Sequence, residues 1–248
     1  MRFNTLTTVN AHSVNYPVEI YRFLKEIGST YQQYSPVVER LIRNNSATVR
    51  GLAPPDTRES ASLAPWSVPA KKYGEFLNSI FDVWIRKDIG KIFVQMFEST
   101  LASWLGEDPG QCLYRQYCGN VTVIENNGDI YACDHYVFPD HKRGNILKVP
   151  LIESCLSGEQ MEFGYAKHTS LPGVCKTCDY LFACFGECPR NRFLPTDEED
   201  KGLNYLCEGL KGYYRHVAPY MDFMVREIRA GRSVLGVKDF NPVVTGSY

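Results

Sequence analysis

Along the first forty residues, apolar and polar positions follow two different periods. Residues 2–10 (RFNTLTTVN), rich in Thr and Val, read as a strand. After a turn-like stretch at 11–15, Pro17 suits a first helical position, and Val18, Tyr21, Leu24 and Ile27 recur at helical spacing until Gly28 offers a C-terminal cap. Residues 30–38 (TYQQYSPVV) predict a second strand. Strand, helix, strand is a βαβ unit, which belongs in a larger parallel sheet, but no flanking strand can be read nearby. From 41 to 64 the chain turns polar and carries Pro54 and Pro55, so it reads as a loop or linker and a domain boundary. A helix is predicted over 69–87, with Ser67 as N-cap and Tyr73, Phe76, Leu77, Ile80, Phe81 and Trp84 as its apolar stripe. A second amphipathic piece covers 92–105. Residues 121–133 (VTVIENNGDIYAC) predict a hairpin that turns at Asn127-Gly128, a dipeptide favouring type I′. Residues 150–163 read as helical, 203–231 as a helix or helix pair interrupted at Pro219, and 232–248 as a flexible tail.

Composition narrows the function classes. With 248 residues, 44% hydrophobic and 22% charged, the chain can bury a substantial core as one large or two small domains. A net charge of −1 offers no reason to expect nucleic acid or an anionic membrane. No apolar run reaches bilayer length and the N-terminus lacks a secretory h-region, so a cytoplasmic location with reduced thiols is expected. Metal ligation by cysteine then becomes more plausible than a disulfide framework.

Nine cysteines carry the chemistry. Residues 175–189 (CKTCDYLFACFGECP) hold four in a C-x2-C-x5-C-x3-C pattern, with aromatic residues and Gly186 between them. The closing C-P echoes ferredoxin runs whose last cysteine ligates a different cluster, which points Cys188 elsewhere. Cys112, Cys118, Cys133 and Cys207 bring the set to eight, and the predicted hairpin brings Cys118 and Cys133 together. Eight soft thiolates divide into two sets of four, the number a [4Fe–4S] cluster needs. Cys155, in a segment that reads as helical, is left over as a small buried hydrophobe.

The spacing C-x9-G-x4-C (Cys118, Gly128, Cys133), then the run of four, then Cys207, resembles the SPASM domain of radical S-adenosylmethionine enzymes. Cys112, together with VVER at 37–40, YACDHYVFP at 131–139 and GLNYLC at 202–207, looks like the anaerobic sulfatase-maturating branch. The resemblance implies an α+β chain: the last βαβ part of a partial (β/α) barrel plus linker over 1–64, then a SPASM domain over 65–231. It implies one [4Fe–4S] cluster on Cys112, Cys118, Cys133 and Cys188, and another on Cys175, Cys178, Cys184 and Cys207. S-adenosylmethionine and a third cluster would belong only to the full-length family enzyme. In such enzymes a 5′-deoxyadenosyl radical takes hydrogen from Cβ of a sulfatase Cys or Ser, and formylglycine results. Asp134, directly after Cys133, matches the family's proposed proton acceptor. A sulfatase or other peptide is the implied substrate, and a flavodoxin or ferredoxin the implied electron partner.

The family's radical-generating C-x3-C-x2-C motif does not occur among these cysteines. The chain is therefore expected to be a truncated gene product, a fragment or one part of a split protein, and to be inactive alone. Two other readings compete with this one. One is a cluster-bearing electron-transfer or peptide-binding module that serves a separate radical enzyme. The other is a binding module stabilised by zinc on four cysteines, which is disfavoured because only one C-x2-C pair is present.

Overall fold

The computed structural model describes residues 3–43, 49–55, 57, 60–198 and 201–242. In chain order the elements are β1 (Asn4–Val9), α1 (Pro17–Glu26), β2 (Tyr31–Pro36), β3 (Arg40–Arg43), β4 (Val49–Leu52), β5 (Ala61–Leu63), α2 (Ala70–Lys87), β6 (Phe93–Val94) and α3 (Gln95–Leu105). There follow β7 (Val123–Ile124), β8 (Asp129–Tyr131), β9 (Lys142–Asn145), α4 (Leu151–Cys155), α5 (Gly158–Thr169), α6 (Gly173–Lys176) and α7 (Leu181–Cys184). The last are β10 (Arg192–Leu194), β11 (Leu203–Asn204) and α8 (Cys207–Arg229), with short 3-10 turns between several of them. The chain divides into two compact units: residues 1–38, 65–109 and 206–248 form the first, and residues 39–64 and 110–205 the second. This interleaving differs from the sequential division at 64 and 231 that the sequence suggested.

In the first unit, β1 and β2 pair in parallel with α1 between them, and Asn4 lies opposite Tyr31. The flanking strand that the sequence did not reveal is β6, which is only two residues long and pairs parallel to β2. Its shortness is why no period-2 pattern betrayed it. The apolar stripe of α2 is buried as expected, with Leu77, Ile80 and Phe81 all at 0% exposure. The N-cap of α2 is Pro69 rather than Ser67, without a side-chain capping bond. α2 crosses α8 where Gly74 faces Gly209, so closely that a Cβ on either would strike the partner helix's backbone. Phe97 of α3 completes this core, 5.2 Å edge-on to Phe81 and 5.1 Å from Trp84 between ring centroids.

Two expectations fail in this unit. α8 runs unbroken through Pro219, because its buried face (Tyr213, Val217, Met221, Met224) holds both halves in line despite the lost backbone bond. Residues beyond Gly231 are tied down where described, forming a 3-10 helix at Val234–Asp239 with Val237 at 0% exposure. Arg86 Nη1 donates to the carbonyls of Lys238 and Phe240, each at 2.7 Å, and Phe240 stacks on Phe223. Residues 243–248 of the expected tail lie outside the described residues.

In the second unit, the stretch expected to be a linker contains a three-stranded antiparallel sheet in the order β4-β3-β5, although residues 44–48, 56 and 58–59 lie outside the described residues. The predicted hairpin is present as β7 and β8, extended by β9 on the other side of β8. Its turn is not type I′. Glu125 N–H bonds Asp129 O and Gly128 N–H bonds Glu125 O, and only Gly128 takes positive φ (83°), as in a three-residue turn closed by a glycine bulge. The helix predicted at 150–163 is two helices, α4 and α5, divided where Ser157 Oγ accepts the Gln160 N–H as an N-cap.

Candidate metal centre

α5 is the post on which the cysteine segments of the second unit hang. Gln160, Gly164 and Lys167 lie four and three residues apart, so they share one face of the helix. Gln160, 1% exposed, donates from Nε2 to Gly119 O at 2.7 Å and Ala132 O at 2.9 Å, which joins the segments next to Cys118 and Cys133. Gly164 lets the Cys118 backbone approach where a Cβ would collide with its carbonyl, and Gly164 O accepts the Cys118 N–H at 3.3 Å. Lys167, also 1% exposed, donates from Nζ to the carbonyls of Cys112, Leu113 and Arg115 at 2.5, 2.7 and 2.6 Å.

The run of four cysteines is built from tight turns. Cys175 lies in α6, Cys178 N–H returns to Cys175 O, and Cys184 closes α7. Three successive residues then take left-handed backbone, with φ of 44° at Phe185, 70° at Gly186 and 51° at Glu187. Non-glycine residues enter this region at about 1–2 kcal/mol each, so something must hold them there. Arg192 does so. Its Nη2 donates to Phe185 O at 2.9 Å and Glu187 O at 3.3 Å, and its Nε to Gly186 O at 3.0 Å. Asn204 Nδ2 adds bonds to Gly186 O and Cys188 O, both 3.2 Å, and to the Glu187 carboxylate at 2.6 Å. The reversal separates Cys184 from Cys188 within four residues.

All nine cysteines are free thiols. Burial pushes the Cys133 thiol up to about 12, helped by its hydrogen bond to Asp134. Burial likewise raises Cys118 and drives Cys188 well above the ordinary range. The charge of Cys112 acts on both Cys118 and Cys133, and that of Cys133 on Cys188, so these four lie within electrostatic reach of one another. His135 links two of them, with Nδ1 at 3.4 Å from Cys188 Sγ and its N–H at 3.5 Å from Cys133 Sγ. Cys133 Sγ donates to Asp134 Oδ1 at 3.0 Å. Burial works to raise Asp134, but this bond and the nearby His135 outweigh it, so the exposed carboxylate sits below its ordinary value and is ionised at neutral pH.

Cys207 belongs to the first unit as the opening residue of α8. Cys155 is half-buried rather than enclosed, with Sγ 3.3 Å from Thr122 Oγ1. No helix among the described residues is long and apolar enough to cross a membrane.

A curated relative, the serine-type anaerobic sulfatase-maturating enzyme of Bacteroides thetaiotaomicron, is 47% identical over 228 residues, 92% of this chain and 55% of its own length. The chain is a homologue of the anaerobic sulfatase-maturating enzymes. The serine-type enzyme of Klebsiella pneumoniae matches at 27% over 99% of the chain and 54% of its own length, and the cysteine-type enzyme of Clostridium novyi at 28% over 86% and 53%. This chain thus spans about half the length of these homologues. No family model matches it. A solved structure described as native anSMEcpe with bound AdoMet shares the mixed α/β fold at a TM-score of 0.73 and 23% identity, covering 90% of this chain and 57% of that one. Another, with bound AdoMet and the Cp18Cys peptide, aligns at 0.71 and 24%, covering 91% and 58%.

Sequence reading missed the residues that hold the cysteines: Gln160, Lys167, Glu187, Arg192 and Asn204. The only available signal was the polar stripe at 160, 164 and 167, and the predicted helix stopped short of the last two.

Proposed function

We propose that this chain is the auxiliary-cluster part of a radical enzyme that oxidises a peptidyl Cys or Ser of a sulfatase to formylglycine, as the names of its serine- and cysteine-type homologues suggest. The observation that carries the reading is the Cys133–Asp134 pair: an ionised, exposed carboxylate bonded to one of eight thiols in the SPASM spacing. The donor set suits iron–sulfur chemistry. Its thiols are soft and free, and burial of Cys118, Cys133 and Cys188 favours their protonated form until a metal displaces the proton. One set would be Cys112, Cys118, Cys133 and Cys188, and the other Cys175, Cys178, Cys184 and Cys207. Bound clusters would supply an acceptor for the single electron that leaves the oxidised substrate, for onward passage to a flavodoxin or ferredoxin.

The role of Asp134 follows from its contacts. While Cys133 keeps its proton, Asp134 Oδ1 is occupied as that proton's acceptor. With Cys133 ligating as thiolate, that oxygen would be free to accept the hydroxyl or thiol proton of the substrate radical while a cluster takes its electron. His135, which donates its backbone N–H to Cys133, keeps the turn in place.

Anaerobic purification of the chain should give a brown protein with about eight irons, four for each cluster. A colourless protein with stoichiometric zinc would replace this reading with a structural binding module. In the complete enzyme of which this chain would form the C-terminal part, Asp134→Asn should lower formylglycine by about 10²–10⁴ with iron and 5′-deoxyadenosine unchanged. One further reading keeps the clusters and makes the chain a module that serves a separate radical enzyme. Formylglycine formed only when a second protein is added would select it.

A further inference from the structure

The second unit buries more positive than negative charge beneath the cysteines. Lys167 spends its three ammonium protons on backbone carbonyls, and Arg192, half-buried, spends its guanidinium on the carbonyls of Lys167 (2.6 Å), Phe185, Gly186 and Glu187 and on the Ser170 hydroxyl (3.3 Å). The carboxylate that acts on both is Glu187, 3% exposed and itself bonded to Asn191 and Asn204. Among the described residues, one buried carboxylate beside a buried ammonium and a half-buried guanidinium leaves an excess positive charge, which is costly in a low-dielectric interior unless a further anion lies beside it. The groups facing Lys167 include Cys118 and Cys188, and those facing Arg192 include Cys175, Cys184 and Cys188. These are thiols from both proposed cluster sets. The two cations are also joined: the Lys167 side chain holds the Cys112 loop, while its carbonyl accepts from the Arg192 that holds the Cys184–Cys188 reversal.

We propose that Lys167 and Arg192 are positioning residues of the iron–sulfur sites, a role that rests on the cluster reading above. Lys167 fixes the segment bearing Cys112, and Arg192 fixes the left-handed run that sends Cys184 and Cys188 to different clusters. Their charges compensate the ligated thiolates and hold the clusters at a higher reduction potential than the thiolates alone would give, since net charge and surrounding hydrogen bonds set that potential.

The test uses the full chain, reconstituted anaerobically, in wild-type form and as Lys167→Met, Lys167→Arg, Arg192→Met and Arg192→Lys, with the exposed Lys148→Met as control. Iron retention against a chelator and cluster midpoint potentials by EPR-monitored titration are read together. In the Met variants the chelator concentration that strips half of the iron should fall by about 10–100-fold, and the midpoint of the remaining cluster should move negative. The Arg and Lys exchanges keep the charge but not the hydrogen-bond geometry, so they should lose retention while keeping the potential close to wild type. Should the Met variants fail to fold, the two charge-keeping exchanges decide: wild-type retention in both overturns the positioning role. Midpoints unchanged in folded Met variants overturn the electrostatic role. A wild-type chain that takes up no iron refutes the cluster reading itself, before any variant is compared.

Discussion

Alanine at Gly186 is the sharpest probe of the left-handed reversal between Cys184 and Cys188. Gly186 sits at φ 70°, and an added Cβ would lie 2.8 Å from Arg192 Nη2 and closer still to Leu171 Cδ2, a side chain at 0% exposure. The backbone term alone is about 1–2 kcal/mol for an L-residue in this region. Displacing Arg192 and Leu171 adds about 1–3 kcal/mol of overpacking, for a total of about 2–5 kcal/mol. Gly110, in the same unit, supplies the control: its φ is 74° and a Cβ there meets nothing within 4 Å, so Gly110→Ala carries only the backbone part. The two variants should therefore differ by about 1–3 kcal/mol, or about 2–12 °C in midpoint at about 2–4 °C per kcal/mol. Thermal unfolding of anaerobically reconstituted protein, followed by circular dichroism beside iron content, measures this. Gly186→Ala should also lose iron, because the displaced guanidinium releases the carbonyls on either side of the reversal. Equal midpoints for the two variants, with full iron in both, would refute the argument that Arg192 packs against this turn.

Other residues test separate parts of the reading. Cys155→Ala should keep the full iron content, because its sulfur meets Thr122 and lies outside the eight-cysteine pattern, whereas Cys184→Ala should lose about half; equal losses would show that the partition is wrong. Phe97→Ala should destabilise the first unit by about 3–5 kcal/mol in denaturant titration, since the ring is at 0% exposure between Phe81, Trp84 and Tyr213; a loss below about 1 kcal/mol would show that the core closes without it. Glu98 is raised above its ordinary 4.5 by burial, so its contribution to stability is present below that pH and is lost as pH rises through the folded value. Glu98→Gln should accordingly be more stable than wild type at pH 7, with the gain gone by about pH 4; an equal gain at both pH values would exclude the carboxyl as its cause.

The first unit was the more legible in sequence because apolar burial builds it. Tyr73, Phe76, Leu77, Ile80, Phe81 and Trp84 announce α2 by period, and the βαβ start follows from Pro17, Gly28 and the strands on either side. Failures there occurred where packing overruled a local signal. Pro219 is carried inside α8 by its buried face, and residues after Gly231 are fastened by Arg86, 152 and 154 positions upstream of the carbonyls it bonds. Such long-range bonds leave no trace in a local window. The eight cysteines were legible as spacing, but the residues that shape their loops were not. An Arg that holds four carbonyls and an Asn that braces a fifth look like any exposed polar pair in sequence.

That asymmetry has a physical basis. Among the described residues, the large fully buried side chains belong mostly to the first unit, whereas the buried apolar residues of the second, cysteines aside, are few and mostly small or scattered: Leu41, Ala64, Tyr114, Ile130, Ala132, Tyr136, Leu171 and Ala183. In their place the centre of the second unit holds Gln160, Lys167 and Asn204, bonded to backbone at or next to cysteines, and Glu187 and Asn191, bonded to each other, all at or below 9% exposure. A polar interior of this kind is stable only when every group is satisfied, and the buried thiols and surplus cation leave it incomplete without an anionic partner. Under the proposed ligation a cluster would supply that partner, and its binding free energy would then contribute to folding free energy. The helical face of Gln160, Gly164 and Lys167 does for this polar interior what the stripe of α2 does for an apolar one. It is spaced alike but made of hydrogen-bonding groups, which is why a search for hydrophobic period passes over it.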